Sequence, residues 1–196
     1  AAMEYGVAIQ LVGPEDAVNA EFRRPAVRKL LDGREPESFN ITVVPASEVV
    51  AMDEKPSRAV LKKKDASIIV ATRLVAEGAA DALVAAGSTG AAAAAAQFGM
   101  GRIANVDRPA IACTMPTIHP QRCILLDVGA NVKCTANNLF QFGLMGSILA
   151  KGLHNIENPK VGLLNIGTED TKGNDLVQEA YDMFSKTDLI NFIGFV

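Results

Sequence analysis

Along this chain a short apolar run repeatedly ends in a glycine-containing polar loop and then gives way to a helical pattern. That alternation restricts the fold more than any other feature. Val7–Val12 reads as a strand stopped by Gly13-Pro14, and Pro14, Glu15 and Asp16 suit the first turn of a helix. Ile41–Val44 is a second strand, ending at Pro45. Pro56–Glu77 reads as one helix with Gly78 as its stop. Asp81–Ala86 is expected to be a buried strand that runs through Gly87-Ser88-Thr89-Gly90 into an alanine-rich helix. Cys123–Val128 is another strand, Asn137–Gly152 a helix with small residues on one face, and Val161–Ile166 a further strand. A helix from about Asp175 to Phe184 and a strand from Asn191 to Gly194 complete the pattern. Continuous apolar strands alternating with helices predict a mostly parallel sheet covered on both faces, in one α/β domain.

Composition narrows the class. Of 196 residues, 49% are hydrophobic, enough for a substantial core, but only 5% are aromatic and Trp is absent. Ala, Val, Leu and Ile must therefore do most of the packing. The net charge of −3 gives no electrostatic footprint for nucleic acid. Cys113, Cys123 and Cys134 form no CxxC pair, which suits a reduced cytosol and matches no zinc framework; each is expected to be a small buried hydrophobe. The opening, with Glu4 and no basic region before an apolar run, does not read as a secretory signal. Ala82–Gly101 carries no charge, yet its alanines and glycines, broken at Gly87–Gly90, read as strand, turn and helix rather than a membrane span.

Ligands of open parallel sheets bind beyond the carboxyl ends of the strands, and three loops occupy that place. Gly87, Ser88, Thr89 and Gly90 offer pliant backbone, two hydroxyls and the start of a helix, an arrangement that binds anions or simply caps the helix. Asp127 ends an apolar strand with Asn131 just beyond, and either serves a ligand or braces its own loop. In the third loop Lys172 is a point charge for phosphate or an oxyanion, with Asn165, Thr168 and Asn174 as neutral donors. Glu169 and Asp170 are placed to orient that lysine; the alternative is a solvated charged loop. Arg58 with Lys62, Lys63 and Lys64 makes a basic cluster, either a solvated helical face or a dock for an acidic carrier protein. Gly99-x-Gly101-x-x-Ala104 imitates a dinucleotide fingerprint but follows a helix, the wrong context. His119 and His154 match no metal or catalytic spacing and are expected to be structural.

Taken in order, these stretches resemble the PlsX family, the acyl-carrier-protein:phosphate acyltransferases of bacterial phospholipid synthesis. The resemblance rests on Ala46–Val50, Lys62–Ser67, Ala86–Ala91, Gly101–Ile103, Asp107–Ala110 and Leu125–Asn131. It continues through Gln141-Phe142, Met145–Ser147, Ile156–Pro159, Val161–Asn174 and Asn191–Gly194. It implies a three-layer α/β/α fold similar to the isocitrate and isopropylmalate dehydrogenases, a homodimer, and no metal or organic cofactor. It also implies transfer of an acyl group from acyl-carrier protein to inorganic phosphate, in the cytoplasm, with peripheral association with the inner membrane face through regions not in this chain. Ser88 stands where the family usually has Asn, Lys133 and Thr135 differ from its pattern after Asn131, and Phe195 replaces an expected Asn. Against the family both ends are short, so the chain is expected to be the central part of a longer enzyme.

The mechanism this implies places phosphate at Gly87–Gly90 with Lys172 near, Asn174 and Asn131 as donors, and Asp127 as a positioning group. It requires residues 88, 127 and 172 to share one cavity. Two rivals are a non-catalytic scaffold that binds acyl-carrier protein, and another enzyme of the same fold. The latter would be phosphate acetyltransferase-like or a nicotinamide-dependent dehydrogenase.

Overall fold

The computed structural model describes residues 2–118, 122–169 and 171–196. The chain divides into two compact units, Ala1–Gly101 and Arg102–Val196.

In the first unit a short helix α1 (Ala2–Tyr5) precedes β1 (Ile9–Gly13), and β2 (Ile41–Pro45) pairs with β1 in parallel register, Ile9 opposite Ile41 and Val12 opposite Val44. Helices α2 (Glu15–Phe22) and α3 (Pro25–Leu30) and a 3-10 turn over Pro36–Phe39 make the crossover that a parallel pair requires. Then come α4 (Pro56–Lys62), α5 (Ser67–Ala76) and α6 (Thr89–Ala95), the last running on into a π turn over Ala96–Met100. Small residues fill the interior: Ala46, Ala59, Val60, Ala66, Val70, Ala91 and Ala95 are buried. Thr72 is buried too, its hydroxyl donating to the Ile68 carbonyl at 2.6 Å.

Two expectations fail in this unit. The single helix expected over Pro56–Glu77 is broken at residues 63–66, because tertiary bonding there outcompetes helix continuation. Ala66 bridges Glu48 in the manner of a parallel strand pair, with Glu48 N donating to Asp65 O and Ser67 N to Glu48 O. The Asp65 carboxylate accepts from both the amide and the hydroxyl of Ser47, at 2.7 and 2.5 Å. The buried strand expected over Asp81–Ala86 is also absent: the segment is largely exposed and unpaired, Val84 reaching 95%. A strand persists only where a neighbour takes its backbone groups, and three of these six residues are alanines, which have little preference for sheet.

The second unit holds β3 (Ala112–Pro116), β4 (Arg122–Leu126), α7 (Ala136–His154), β5 (Lys160–Leu163), α8 (Asp175–Ser185) and β6 (Asn191–Phe195). Helix α7 packs on β4, β5 and α8. It starts at a reciprocal cap, in which the Thr135 hydroxyl accepts from Asn138 N and the Asn138 carbonyl oxygen accepts from Thr135 N. Its small face is as expected, with Ala136, Ser147 and Ala150 buried. Strand β6 lies parallel to β5. Strand β3 was not anticipated, and it pairs with β4 antiparallel, because the five residues between them are too few for a parallel crossover. The described strands thus form three two-stranded sheets, two parallel and one antiparallel, within a mixed α/β structure.

The cysteines correct another expectation. None is buried; Cys113 and Cys134 are half-buried and Cys123 is exposed. Cys113 and Cys123 sit on a hairpin sheet of only two strands, which leaves side chains open to solvent, and Cys134 lies in the loop before α7. His154 lies in the last turn of α7 with a buried, unpartnered Nε2, whereas His119 lies outside the described residues.

Candidate functional site

The loop after β4 is organised by Asp127. Its Oδ1 accepts from the amides of Ile111 at 2.8 Å, Gly129 at 3.3 Å and Ala130 at 3.1 Å. Its Oδ2 accepts from the amide of Asn131 at 2.8 Å and from that residue's Nδ2 at 3.1 Å. Burial pushes the carboxyl up, but the bonds from Ile111, Ala130 and Asn131 outweigh it and hold the group below the usual carboxylate range. Asn131 Nδ2 also donates to the Pro109 carbonyl at 2.8 Å, so its N–H groups are engaged in bracing the loop. Of the two roles open to Asp127 and Asn131, this geometry supplies the brace.

A depressed folded-state pKa means stability that is complete above the unfolded value and fades as pH falls through the folded one. Asp127→Asn is therefore expected to cost roughly 2 kcal/mol near pH 7, discounted for partial exposure, with the deficit shrinking below about pH 4. Urea unfolding followed by circular dichroism across pH checks this; a deficit independent of pH would mean that the carboxylate charge is not what holds the loop.

The loop after β5 has a different character. Leu164, Asn165, Ile166, Gly173, Asn174 and Val177 line an open concavity of about 530 Å³. Asn174 caps α8, its Oδ1 accepting from Val177 N at 3.0 Å. Asn165 contributes a side chain whose Nδ2 is shielded from water and has no hydrogen-bond partner. A shielded donor without an acceptor is costly, which marks the place where an acceptor is wanted. Gly173 has φ +96°, and a Cβ there would stand 2.8 Å from Asn165 Oδ1. Glycine is required both for the backbone and for the amide beside it.

Lys172 is an exposed member of this loop, its N donating to Glu169 O at 2.9 Å and its O accepting from Gln178 Nε2 at 2.7 Å. Gly167 leaves room for the lysine stem: a Cβ there would meet Lys172 Cγ at 3.2 Å and Glu169 Oε2 at 2.6 Å. Among the described residues no ion pair joins Glu169 or any other carboxylate to the Lys172 ammonium. Asp170 lies outside the described residues, and Thr168 is exposed. The structure thus brings Asn165, Gly173 and Asn174 together on one concavity; Lys172 belongs to the same loop but does not line it, and Asp127 and Asn131 are not part of it.

The remaining candidates belong to the first unit. The Ser88 hydroxyl caps α6 by accepting from Ala91 N at 3.3 Å. Gly90 is needed because a Cβ there would stand 2.8 Å from Pro56 Cγ. Gly87 and Thr89 are exposed. Lys63 is committed to Glu54 at 2.7 Å and to the Val49 carbonyl at 2.8 Å, leaving Lys62 and Lys64 as the exposed members of the basic cluster.

The sequence reading missed how loop residues 102–109 are tied to α7. Asp107 N donates to Gln141 Oε1 at 2.9 Å, Gln141 Nε2 donates to Asn105 O at 3.0 Å, and Asn137 Nδ2 donates to Asp107 Oδ2 at 2.7 Å. The signal was Gln141 itself, a polar residue among the apolar positions of a helix.

The comparisons with known proteins decide the family. The model of the family described as fatty acid synthesis protein matches residues 1–196. The chain belongs to that family. It is 49% identical over 194 residues to a phosphate acyltransferase of Oleidesulfovibrio alaskensis, covering 99% of this chain and 53% of the relative. A phosphate acyltransferase of Heliobacterium modesticaldum is 52% identical over 194 residues, 99% of this chain and 55% of its own. One from Geotalea daltonii is 44% identical over 196 residues, 100% of this chain and 54% of its own. The chain spans about half the length of the curated family members it matches.

Proposed function

We propose that this chain supplies the anion-binding and oxyanion-stabilising part of a phosphate acyltransferase that acts on acyl-carrier-protein thioesters. The observation that carries the reading is the water-shielded, unpartnered Asn165 Nδ2 on the concavity it shares with Asn174, in the loop that also carries Lys172, in a chain about half identical to proteins named phosphate acyltransferase. In the reaction a phosphate oxygen attacks the thioester carbonyl carbon. A C–O bond forms as the carbonyl becomes a tetrahedral oxyanion; its collapse breaks the C–S bond and yields acyl phosphate and the carrier thiol. Thiolate leaves readily, so the protein's task is to place two anionic partners and meet the new charge. Lys172 supplies the charge, and Asn165, Thr168 and Asn174 the neutral donors. Glu169 contributes to orientation of Lys172 through its carbonyl, which accepts from Lys172 N, Asp127 with Asn131 keeps its own loop in shape, and Gly87–Gly90 is offered as an anion-binding turn of the first unit by itself.

Incubation of the full-length protein with acyl-carrier-protein thioester, with and without phosphate, tests this. Phosphate-dependent release of carrier thiol with matching acyl phosphate is expected; binding without turnover would favour the scaffold reading. Gly173→Ala, which pushes on Asn165, is expected to lower turnover about tenfold, the worth of one displaced hydrogen bond. Unchanged kcat would remove Asn165 from the site. Carrier docking is assigned to Lys62 and Lys64, and their joint reversal to Glu is expected to raise KM and flatten its salt dependence while sparing kcat. The same reading includes a three-layer α/β/α arrangement, a homodimer and peripheral membrane association. Sedimentation of the full-length protein, alone and with anionic vesicles, checks the last two.

A further inference from the structure

The β3–β4 hairpin carries a cluster of sulfur atoms that the acyl-transfer reading does not use. Its register sets Met115 opposite Cys123 and Cys113 opposite Leu125. Directly opposed residues share a face of the sheet, as do residues two apart on one strand. Cys113, Met115, Cys123 and Leu125 are therefore a two-by-two patch on one face, and three of its four side chains contain sulfur. Cys113 Sγ stands 3.7 Å from Met115 Sδ. Cys123 starts from a Cβ only about 5 Å from that of Met115. The patch is open to solvent, with Cys123 exposed, Met115 44% exposed and no disulfide consuming either thiol.

Two thiols and a thioether, with no carboxylate or imidazole grouped with them among the described residues, suit a soft cation and reject hard ones. Three sulfurs in a plane about 2.3 Å from a metal stand ~4 Å from one another, close to the separation already present between Cys113 and Met115. Among the described residues no three His, Cys, Asp or Glu side chains are grouped to hold a metal, so the set is complete only with its methionine. We propose that Cys113, Met115 and Cys123 form a surface site for a monovalent thiophilic cation of the Cu(I) class. Binding forms three metal–sulfur bonds and releases the two thiol protons; no electron changes hands, and the occupied site carries one net negative charge.

The test supplies Cu(I) alone to the reduced full chain without oxygen, in competition with a Cu(I) chelator. One equivalent per chain is expected to survive, with three sulfurs and no light-atom ligand in the X-ray absorption spectrum. Cys113→Ser and Cys123→Ser are each expected to weaken retention by at least about tenfold to a hundredfold, the range that loss of even an outer-shell partner produces. Met115→Leu, at a part-exposed position that folding tolerates, is expected to leave a two-sulfur shell and weaker retention. Cys134→Ser, off the patch, is expected to change nothing. The proposal is overturned if no copper is retained, if Cys134→Ser loses as much as the patch variants, or if the spectrum of Met115→Leu matches the wild type.

Discussion

Phe184→Ala is expected to destabilise the unit Arg102–Val196 by about 3–5 kcal/mol, the largest stability loss among the substitutions considered. Phe184 is 2% exposed and anchors the core with Ala136 and Ala180. Its ring stacks on Phe192 at 5.0 Å between centroids and tilts against Phe140 at 5.3 Å. Truncation removes buried apolar surface and both ring pairs, and the neighbours are held by α7 and β6, so the hole does not collapse freely. The opposite error is costly too. A Cβ at Gly143 would stand 2.5 Å from Phe184 Cε1, and because a packed ring is not a flexible tip, Gly143→Ala is expected to cost about 1–3 kcal/mol through overpacking. Urea unfolding at 222 nm measures both. A loss below about 1 kcal/mol for Phe184→Ala would show that the ring is not the centre of this core.

The glycine at position 143 also shows what was legible. A helix with small residues on one face could be read from its spacing, a local rule acting over a few residues; the caps at Thr135 and Asn174 follow equally local rules but went unread. The parallel pairs β1–β2 and β5–β6 followed from alternation with helices. What escaped was set by partners distant in sequence. Nothing within Pro56–Glu77 announces that Asp65 and Ala66 will be drawn to Ser47 and Glu48. Nothing within Asp81–Ala86 announces that no strand lies beside it. At the candidate site the loop containing Lys172 was recognisable by residue type. That Asn165 would be left with an unpaired Nδ2 while Asn131 spent its own on Asp127 and Pro109 depends on geometry that two asparagines in a sequence do not distinguish.

That distinction shapes the second large effect, which falls on chemistry and not on folding. On the proposed acyl-transfer reading, Lys172→Ala in the full-length protein is expected to lower kcat by roughly a hundredfold or more, about 2.7–4 kcal/mol of transition-state stabilisation. Its ammonium is the group in the Asn165–Asn174 loop able to answer a full negative charge, and no carboxylate among the described residues neutralises it. Stability should barely change, because the side chain is exposed and its backbone bonds to Glu169 and Gln178 survive the substitution. Lys172→Arg is the sharper control. It keeps the charge but spreads it over a planar fork, so a site needing a compact point charge recovers little, whereas one needing only a positive field recovers most of the rate. If Lys172→Ala turned over at near wild-type kcat with a raised KM for phosphate, the lysine would attract the anion without acting on the transition state. The oxyanion would then have to be met by neutral donors, Asn165 foremost.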